Sequence, residues 1–359
     1  MTRTRIGVVL LACLALLASG CSGGEEAGET SRTETSPATT RTPSPRPTVA
    51  AFRVGVVALK GDVQDPYAGA LARVGLRRAE KLLRIDGHMA LVHRPRGLTA
   101  KLTSFATGGY DLVIGVGAGA AEAVDRVART FPDVDFAVVD ASQQAQDAKP
   151  TNVRGLLFKE QEAGYLVGYL AGLLNAKEAG SKQTIGAVGG RKVPWVDRYI
   201  AGFAAGARKA NHQTKTLDDY SQTFVDQAKC KELALGQIAQ GADVIFAVAG
   251  RCGLGAESAA EEKNVWAIAV DADQSALGAH ILTSAVRRVD VAVFETVQDA
   301  QSGGFTGGEN LVFDVASGGV DLGQVSDQVP ADVLSKVQAV QDDLAAGKIT
   351  DIPEHVRRP

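Results

Sequence analysis

The chain has 359 residues, with 38 Lys and Arg against 41 Asp and Glu, a formal net charge of −3, five His and four Cys. No block of Lys and Arg offers an electrostatic footprint for nucleic acid. The histidines show no metal-ligand spacing and the two cysteines of the globular part are too few for a structural zinc site, so neither a metal nor a cofactor is expected.

The first residues run Thr2, Arg3, Thr4, Arg5, then an apolar stretch from Ile6 to Ala18, then Ser19-Gly20-Cys21. A basic start, a short apolar run and small residues before the break make residues 1–20 a secretory signal. A bilayer span needs about 20 apolar residues, so this run exports the chain without crossing the membrane. Leu17-Ala-Ser-Gly-Cys21 resembles a bacterial lipobox, in which the thiol is diacylated and becomes the new N-terminus. A lipid on Cys21 would hold the chain on the extracytoplasmic side of the cell membrane. The plain alternative, a secreted protein with an incidental Cys21, is disfavoured because the Ser, Gly, Glu, Thr and Pro that follow cannot bury a thiol. Residues 21–50 contain no aromatic side chain and almost nothing apolar, and cannot offset their ordering entropy by burial. They read as a disordered tether reaching roughly 30 Å. Removing Arg3 and Arg5 with the signal leaves 36 basic against 41 acidic side chains, a charge of −5.

The remaining ~310 residues exceed one ordinary core. Short runs rich in Val, Ile, Leu and Phe alternate with amphipathic patterns of helical period. Strands are expected at Phe52–Ala58, His88–His93, Tyr110–Val116, Val134–Val139, Val153–Phe158, Thr184–Val188, Thr214–Asp218, Asp243–Val248, Val265–Val270, His280–Ser284 and Asn310–Val315. The helices expected between and after them include Ala68–Leu83, Ala120–Thr130, Glu160–Asn175, Val196–Ala210, Asp226–Gln240, Val289–Ser302 and Ala331–Ala346. Such alternation predicts an α/β protein of two doubly wound parallel sheets, with ligand outside the carboxyl ends of the strands. The glycine-rich strand ends Gly115–Gly119, Gly189-Gly190 and Gly250–Gly253 lie there.

Cys230 falls on a helix and Cys252 in the loop after the following strand. Outside the cytoplasm they are expected as a disulfide, the alternative being two buried free thiols. An NAD-dependent oxidoreductase is the rival: Gly115-x-Gly117-x-x-Ala120 follows a strand, and Asp140 ends the next one where a ribose-binding acid belongs. Against it, these glycines follow the third strand, and reduced nicotinamide is not available outside the membrane. There is no G-x-S-x-G elbow and no phosphate-binding G-x-x-x-x-G-K-[ST] loop, and the chain is not expected to be an enzyme.

Several segments together resemble the basic membrane protein family, lipoprotein substrate-binding components of ABC importers whose known members mostly bind purine nucleosides. They are Leu157-Phe-Lys-Glu-Gln-Glu-Ala-Gly-Tyr-Leu-Val-Gly168, Val188-Gly-Gly190 with Val193-Pro194 and Ala201-Gly-Phe203, Gly241-Ala-Asp-Val-Ile-Phe246, Val270-Asp-Ala-Asp-Gln274, and Thr283-Ser284 with Arg287-Arg-Val-Asp-Val-Ala-Val293. The resemblance implies a type I periplasmic-binding-protein fold with two lobes joined by three crossovers, near Phe158, Ser284 and Gly318. The lobes would be 51–158 with 282–317, and 159–281 with 318–359. It also implies a monomer that closes on a small ligand and serves an ABC permease, or a ligand sensor for a membrane receptor.

By the same resemblance, Phe224 stacks on a base, Asp271 and Arg287 take ribose hydroxyls, and Asp140 reaches the base edge. The family's Thr-Asp after the first strand and Ser-Phe-Asn at the first helix are here Ala58-Leu59 and Tyr67-Ala68-Gly69, so Asp62, Asp65 or Tyr67 would have to substitute. A nucleoside or ribosyl compound bound with altered base preference is the expected ligand. Each site residue also has an ordinary reading: core for Phe224, turn or cap for the aspartates, a surface ion pair for Arg287.

Overall fold

The structure is a computed structural model that describes residues 51–60, 67–145, 149–177 and 183–356. The signal, Cys21, the tether and Asp62 lie outside the described residues. The chain begins β1 (Arg53–Leu59), α1 (Ala68–Leu83), β2 (Asp86–Val92), α2 (Arg96–Thr107), β3 (Leu112–Val116), α3 (Ala121–Ala128), β4 (Asp135–Val139) and β5 (Val153–Phe158). It continues with α4 (Glu160–Lys177), β6 (Thr184–Gly189), α5 (Pro194–Ala210), β7 (Lys215–Tyr220), α6 (Gln227–Ala239), β8 (Ala242–Val248), α7 (Gly253–Lys263) and β9 (Trp266–Asp271). The last elements are β10 (Ile281–Arg287), α8 (Val289–Ser302), β11 (Asn310–Phe313), β12 (Val320–Leu322) and α9 (Ala331–Ala345).

The strands form two six-stranded sheets, in the order β11-β5-β4-β3-β1-β2 and β12-β10-β9-β8-β6-β7. All pairings in the first are parallel, and in the second only β12 runs antiparallel, against β10. Helices cover both faces of such sheets, which is why central strands such as Leu-Val-Ile-Gly-Val at β3 are apolar and buried throughout. Each strand order reverses beside β1 or β6, the place where an open parallel sheet leaves a crevice at its carboxyl edge.

One boundary differs from the sequence expectation. Leu282–Arg287 are expected in the first lobe, whereas the whole of β10 belongs to the second sheet, paired along its length with β9 and at its end with β12. The chain returns to the first sheet only after Arg287, through α8, which packs so closely on α1 that a Cβ on Gly75 would stand 2.4 Å from the Asp290 carbonyl oxygen. β12 has no counterpart among the expected strands, because three residues, Val-Asp-Leu, carry no period.

Helices α4 and α5 lock through glycines. A Cβ at Gly164, Gly168, Gly202 or Gly206 would lie 2.2, 2.1, 2.1 or 2.0 Å from a backbone oxygen of the facing helix. This close approach fixes the start of α5, and with it Trp195, against the start of α4, and with it Glu160. Tyr199 and Phe203 of α5 complete the contact by packing on Phe246 of β8. No helix among the described residues is long and apolar enough to cross a membrane.

Candidate functional site

The carboxyl ends of the two sheets meet through charged side chains. Asp140 follows β4 of the first sheet and Asp271 ends β9 of the second, and both adopt left-handed backbone, with φ of 63° and 70°. Aspartate tolerates that region better than most residues, and the turn aims each carboxylate out of its strand end. Arg287, the last residue of β10, reaches both. Its Nε donates to Asp271 Oδ1 at 3.1 Å and its Nη1 to Asp140 Oδ1. Asp271 and Arg287 are 2% and 3% exposed, so this is a dry ionic cluster spanning the two sheets.

Glu160 extends the cluster from the N-terminus of α4, with Oε1 3.9 Å from Arg287 Nη1 and Oε2 accepting from Arg198 Nε at 2.6 Å. Burial alone would lower the pKa of the Arg198 guanidinium, but the Glu160 carboxylate outweighs it and holds the group above its ordinary value. Three carboxylates and two guanidiniums therefore face one another in a buried setting. Such a set supplies acceptors and fixed donors for a polar ligand, above all a pair of hydroxyls.

Aromatic rings lie beside the charges. Phe224, in the loop after β7, is 4% exposed, and a Cβ on Gly190 would stand 2.4 Å from its ring. The Trp195 ring stacks on it at 5.4 Å between centroids and 16° between planes. The Arg287 guanidinium carbon lies 6.0 Å from the Trp195 ring and 5.5 Å from the ring of Phe158. From the first sheet, the Tyr67 hydroxyl donates to Gln274 Oε1 at 2.9 Å. Gln274 is itself held by the Ser284 hydroxyl, which accepts from its backbone N–H at 3.0 Å, and by its amide donating to the Val270 carbonyl at 2.9 Å.

Cys230 and Cys252 are joined as a disulfide, with Cα atoms 5.6 Å apart and a sequence separation of 22. The bridge ties α6 to the turn after β8, and the Cys252 backbone N–H donates to the Phe224 carbonyl at 3.0 Å. Asp226 caps α6 by accepting from the Lys229 N–H at 3.1 Å. The loop carrying Phe224 is thus pinned at both ends.

At the passage from β5 to α4, Lys159 contacts Glu162 at 3.1 Å and Asp314 at 3.0 Å. Burial would lower its pKa, but hydrogen bonds to the two carboxylates keep the ammonium above its ordinary value. The glycines of the Gly115-x-Gly117 run serve packing here: a Cβ on Gly115 would meet Val124 of α3 at 2.7 Å, and Gly117 has φ 87°.

Of the expected site residues, the structure brings Asp140 and Asp271 onto Arg287, stacks Phe224 on Trp195 and joins Tyr67 to Gln274. Asp62 falls outside the described residues. Trp195, Glu160, Arg198 and Gln274 are not singled out by the sequence. Trp195 and Glu160 are the opening residues of helices, where capping and amphipathic patterns account for any residue type.

The family described as ABC transporter substrate-binding protein PnrA-like (Bmp) matches residues 53–352. The CD4+ T-cell-stimulating antigen of Listeria monocytogenes is 31% identical over 327 residues, covering 84% of this chain and 88% of that protein. The ABC transporter nucleoside-binding protein BmpA of Lactococcus lactis is 30% identical over 270 residues, 70% of this chain and 74% of that protein. Among solved structures, an ABC transporter solute-binding protein from Conexibacter woesei superposes with a TM-score of 0.69 at 27% identity, over 85% of this chain and 100% of that one.

Proposed function

Because this chain belongs to the Bmp family of PnrA-like ABC transporter substrate-binding proteins, we propose that it captures a nucleoside or related ribosyl compound in the cleft where Asp140, Asp271 and Arg287 meet, and delivers it to the permease of an ABC importer. The carrying observation is the buried cluster in which one arginine engages carboxylates of both sheets. A ribose diol donates to a carboxylate and accepts from a guanidinium, so it exchanges for these contacts without leaving charge unpaired. The two sheets with their helices then act as lobes that close on the ligand. Cys21 carries the lipid, and residues 21–50 give the receptor its reach above the membrane. That the Lactococcus relative is called nucleoside-binding supports the same ligand class.

The test is calorimetric titration of the parent and Asp271→Ala with adenosine, guanosine, inosine, cytidine and uridine. The parent should bind at least one of them. Asp271→Ala should lose about 1–3 kcal/mol or more with every base, since truncation leaves a buried partner group unpaired. Equal affinity of parent and variant would remove the ribose assignment.

A further inference from the structure

We infer that the outward face of α1 is a membrane-docking surface, which lies on the anionic lipid headgroups of the bilayer that holds the Cys21 lipid; this rests on the lipid-anchored reading above. From Tyr67 to Thr107, which takes in α1, β2 and α2, the chain carries eight Lys and Arg against two Asp and Glu, a charge of +6. The chain from Cys21 onward carries −5, which leaves −11 for everything else. Positive charge set apart in this way points to an anionic partner. On α1, Arg77, Arg78, Lys81 and Arg84 are exposed, and Val74 and Leu82 stand among them 54% and 58% exposed. Arg78 lies over the Phe294 ring at 4.2 Å, whereas Arg77, Lys81 and Arg84 make no ion pair with a described residue. A helix that rests on a bilayer has this composition, with cations for the lipid phosphates and apolar side chains for the headgroup boundary.

The place where the chain enters the fold favours a bilayer over an acidic protein as the occupant. Residues 21–50 lead directly into β1, and the Phe52 carbonyl just before it accepts from the Asp86 N–H at 2.8 Å. Asp86 opens β2, the outer strand of the first sheet, two residues after Arg84 closes α1. The attachment point of the anchor segment is therefore next to the C-terminal turn of α1, where Lys81, Leu82 and Arg84 are. A chain of charge −5 is repelled as a whole by an anionic bilayer. At 0.15 M salt, however, the Debye length is about 8 Å, so the bilayer responds to the face turned towards it and not to the −11 elsewhere.

The test is co-sedimentation of the mature chain, made with Cys21→Ser so that it carries no lipid, with vesicles of pure phosphatidylcholine and of phosphatidylcholine mixed with phosphatidylglycerol. It should bind only the mixed vesicles, and less as salt rises. Each basic residue near an anionic surface is worth about fivefold in partition, so Arg77→Gln, Lys81→Gln and Arg84→Gln together should weaken binding roughly a hundredfold. All three side chains are exposed and glutamine is a good helix former, so the variant keeps its fold. Arg208→Gln, Lys209→Gln and Lys215→Gln, three exposed cations of the second lobe, change the net charge equally and should leave binding as it was. Leu82→Trp should gain a blue-shifted emission on the mixed vesicles that the parent lacks. Equal binding by the α1 triple variant and the parent, or a Leu82→Trp emission indifferent to vesicles, overturns the surface and leaves the anchor standing. Failure of the parent to bind the mixed vesicles overturns it too and gives the face to an acidic protein. If the exported, unaltered chain is instead found free of the cell membrane, the anchor falls, and the bilayer as occupant falls with it.

Discussion

Asp140 and Asp271 both sit at strand ends with positive φ, a conformation that disfavours most L-residues by roughly 1–2 kcal/mol each. Their residue type and place were legible in the sequence, since an acid after a buried strand stands at the crevice edge. Their partner geometry was not: that Arg287 reaches both depends on the pairing of β9 with β10 and on the approach of β4, which no local pattern encodes. Glu257 of α7 is a different kind of residue. It is 4% exposed, its Oε2 has no hydrogen-bond partner among the described residues, and burial pushes its carboxyl up to about 7 from an ordinary 4.5. A folded-state pKa above the unfolded one means the folded chain binds the extra proton, so stability is full below pH 4.5 and is lost as pH rises through 7. Glu257→Gln keeps the neutral shape and removes the titration. Its stability relative to the parent should therefore improve by about 3 kcal/mol between pH 4.5 and pH 8. Urea unfolding of both proteins at the two pH values measures this, and a pH-independent difference would show that the carboxyl does not titrate in that window.

At the scale of elements, most of the alternation was legible because each strand is a short apolar run and each helix has its own period. β5, α1 and α8 carry the bounds their patterns predict. What escaped was whatever depends on partners: β12, too short to show a period, and the end of β10, which continues through Arg287 because β9 and β12 offer it hydrogen bonds. The α4–α5 contact belongs to the same class. Its glycines look like weak points in two helices, yet each admits a facing carbonyl oxygen at a distance no Cβ tolerates. Gly206→Ala should therefore destabilise by roughly 1–3 kcal/mol or more through overpacking, although alanine is the better helix former by about 1 kcal/mol. Gly236 of α6, where a Cβ meets nothing within 4 Å, is the control. Gly236→Ala should be neutral or mildly stabilising in the same urea titration, and equal effects at the two positions would remove the packing explanation. The disulfide acts on the neighbouring element. Closing a loop of this length stabilises by roughly 3 kcal/mol in the chain-entropy model, so reduced protein should melt earlier by a corresponding margin in calorimetry.

At the scale of the whole molecule, the two sheets touch at their carboxyl ends. Among the described residues, the contacts that do this include Asp140 to Arg287 and Tyr67 to Gln274. A ligand can shift an equilibrium between open and closed forms only by its differential affinity for them, and contacts that already favour closure reduce what it must supply. Asp140→Asn removes one carboxylate charge and leaves Arg287 with Asp271 at 3.1 Å and Glu160 at 3.9 Å, so the guanidinium is not stranded as a buried unpaired charge. The variant should fold, and what it loses is attraction between the sheets. A loss of about 1.4 kcal/mol would change the ratio of open to closed molecules tenfold. Solution scattering of the ligand-free proteins should therefore give Asp140→Asn the larger radius of gyration. A nucleoside that binds the parent should shrink both proteins, the variant by more, and at higher ligand concentration because its competent form is less populated. Identical ligand-free radii would mean that the Asp140–Arg287 contact does not hold the sheets together, and that closure is decided elsewhere in the cleft.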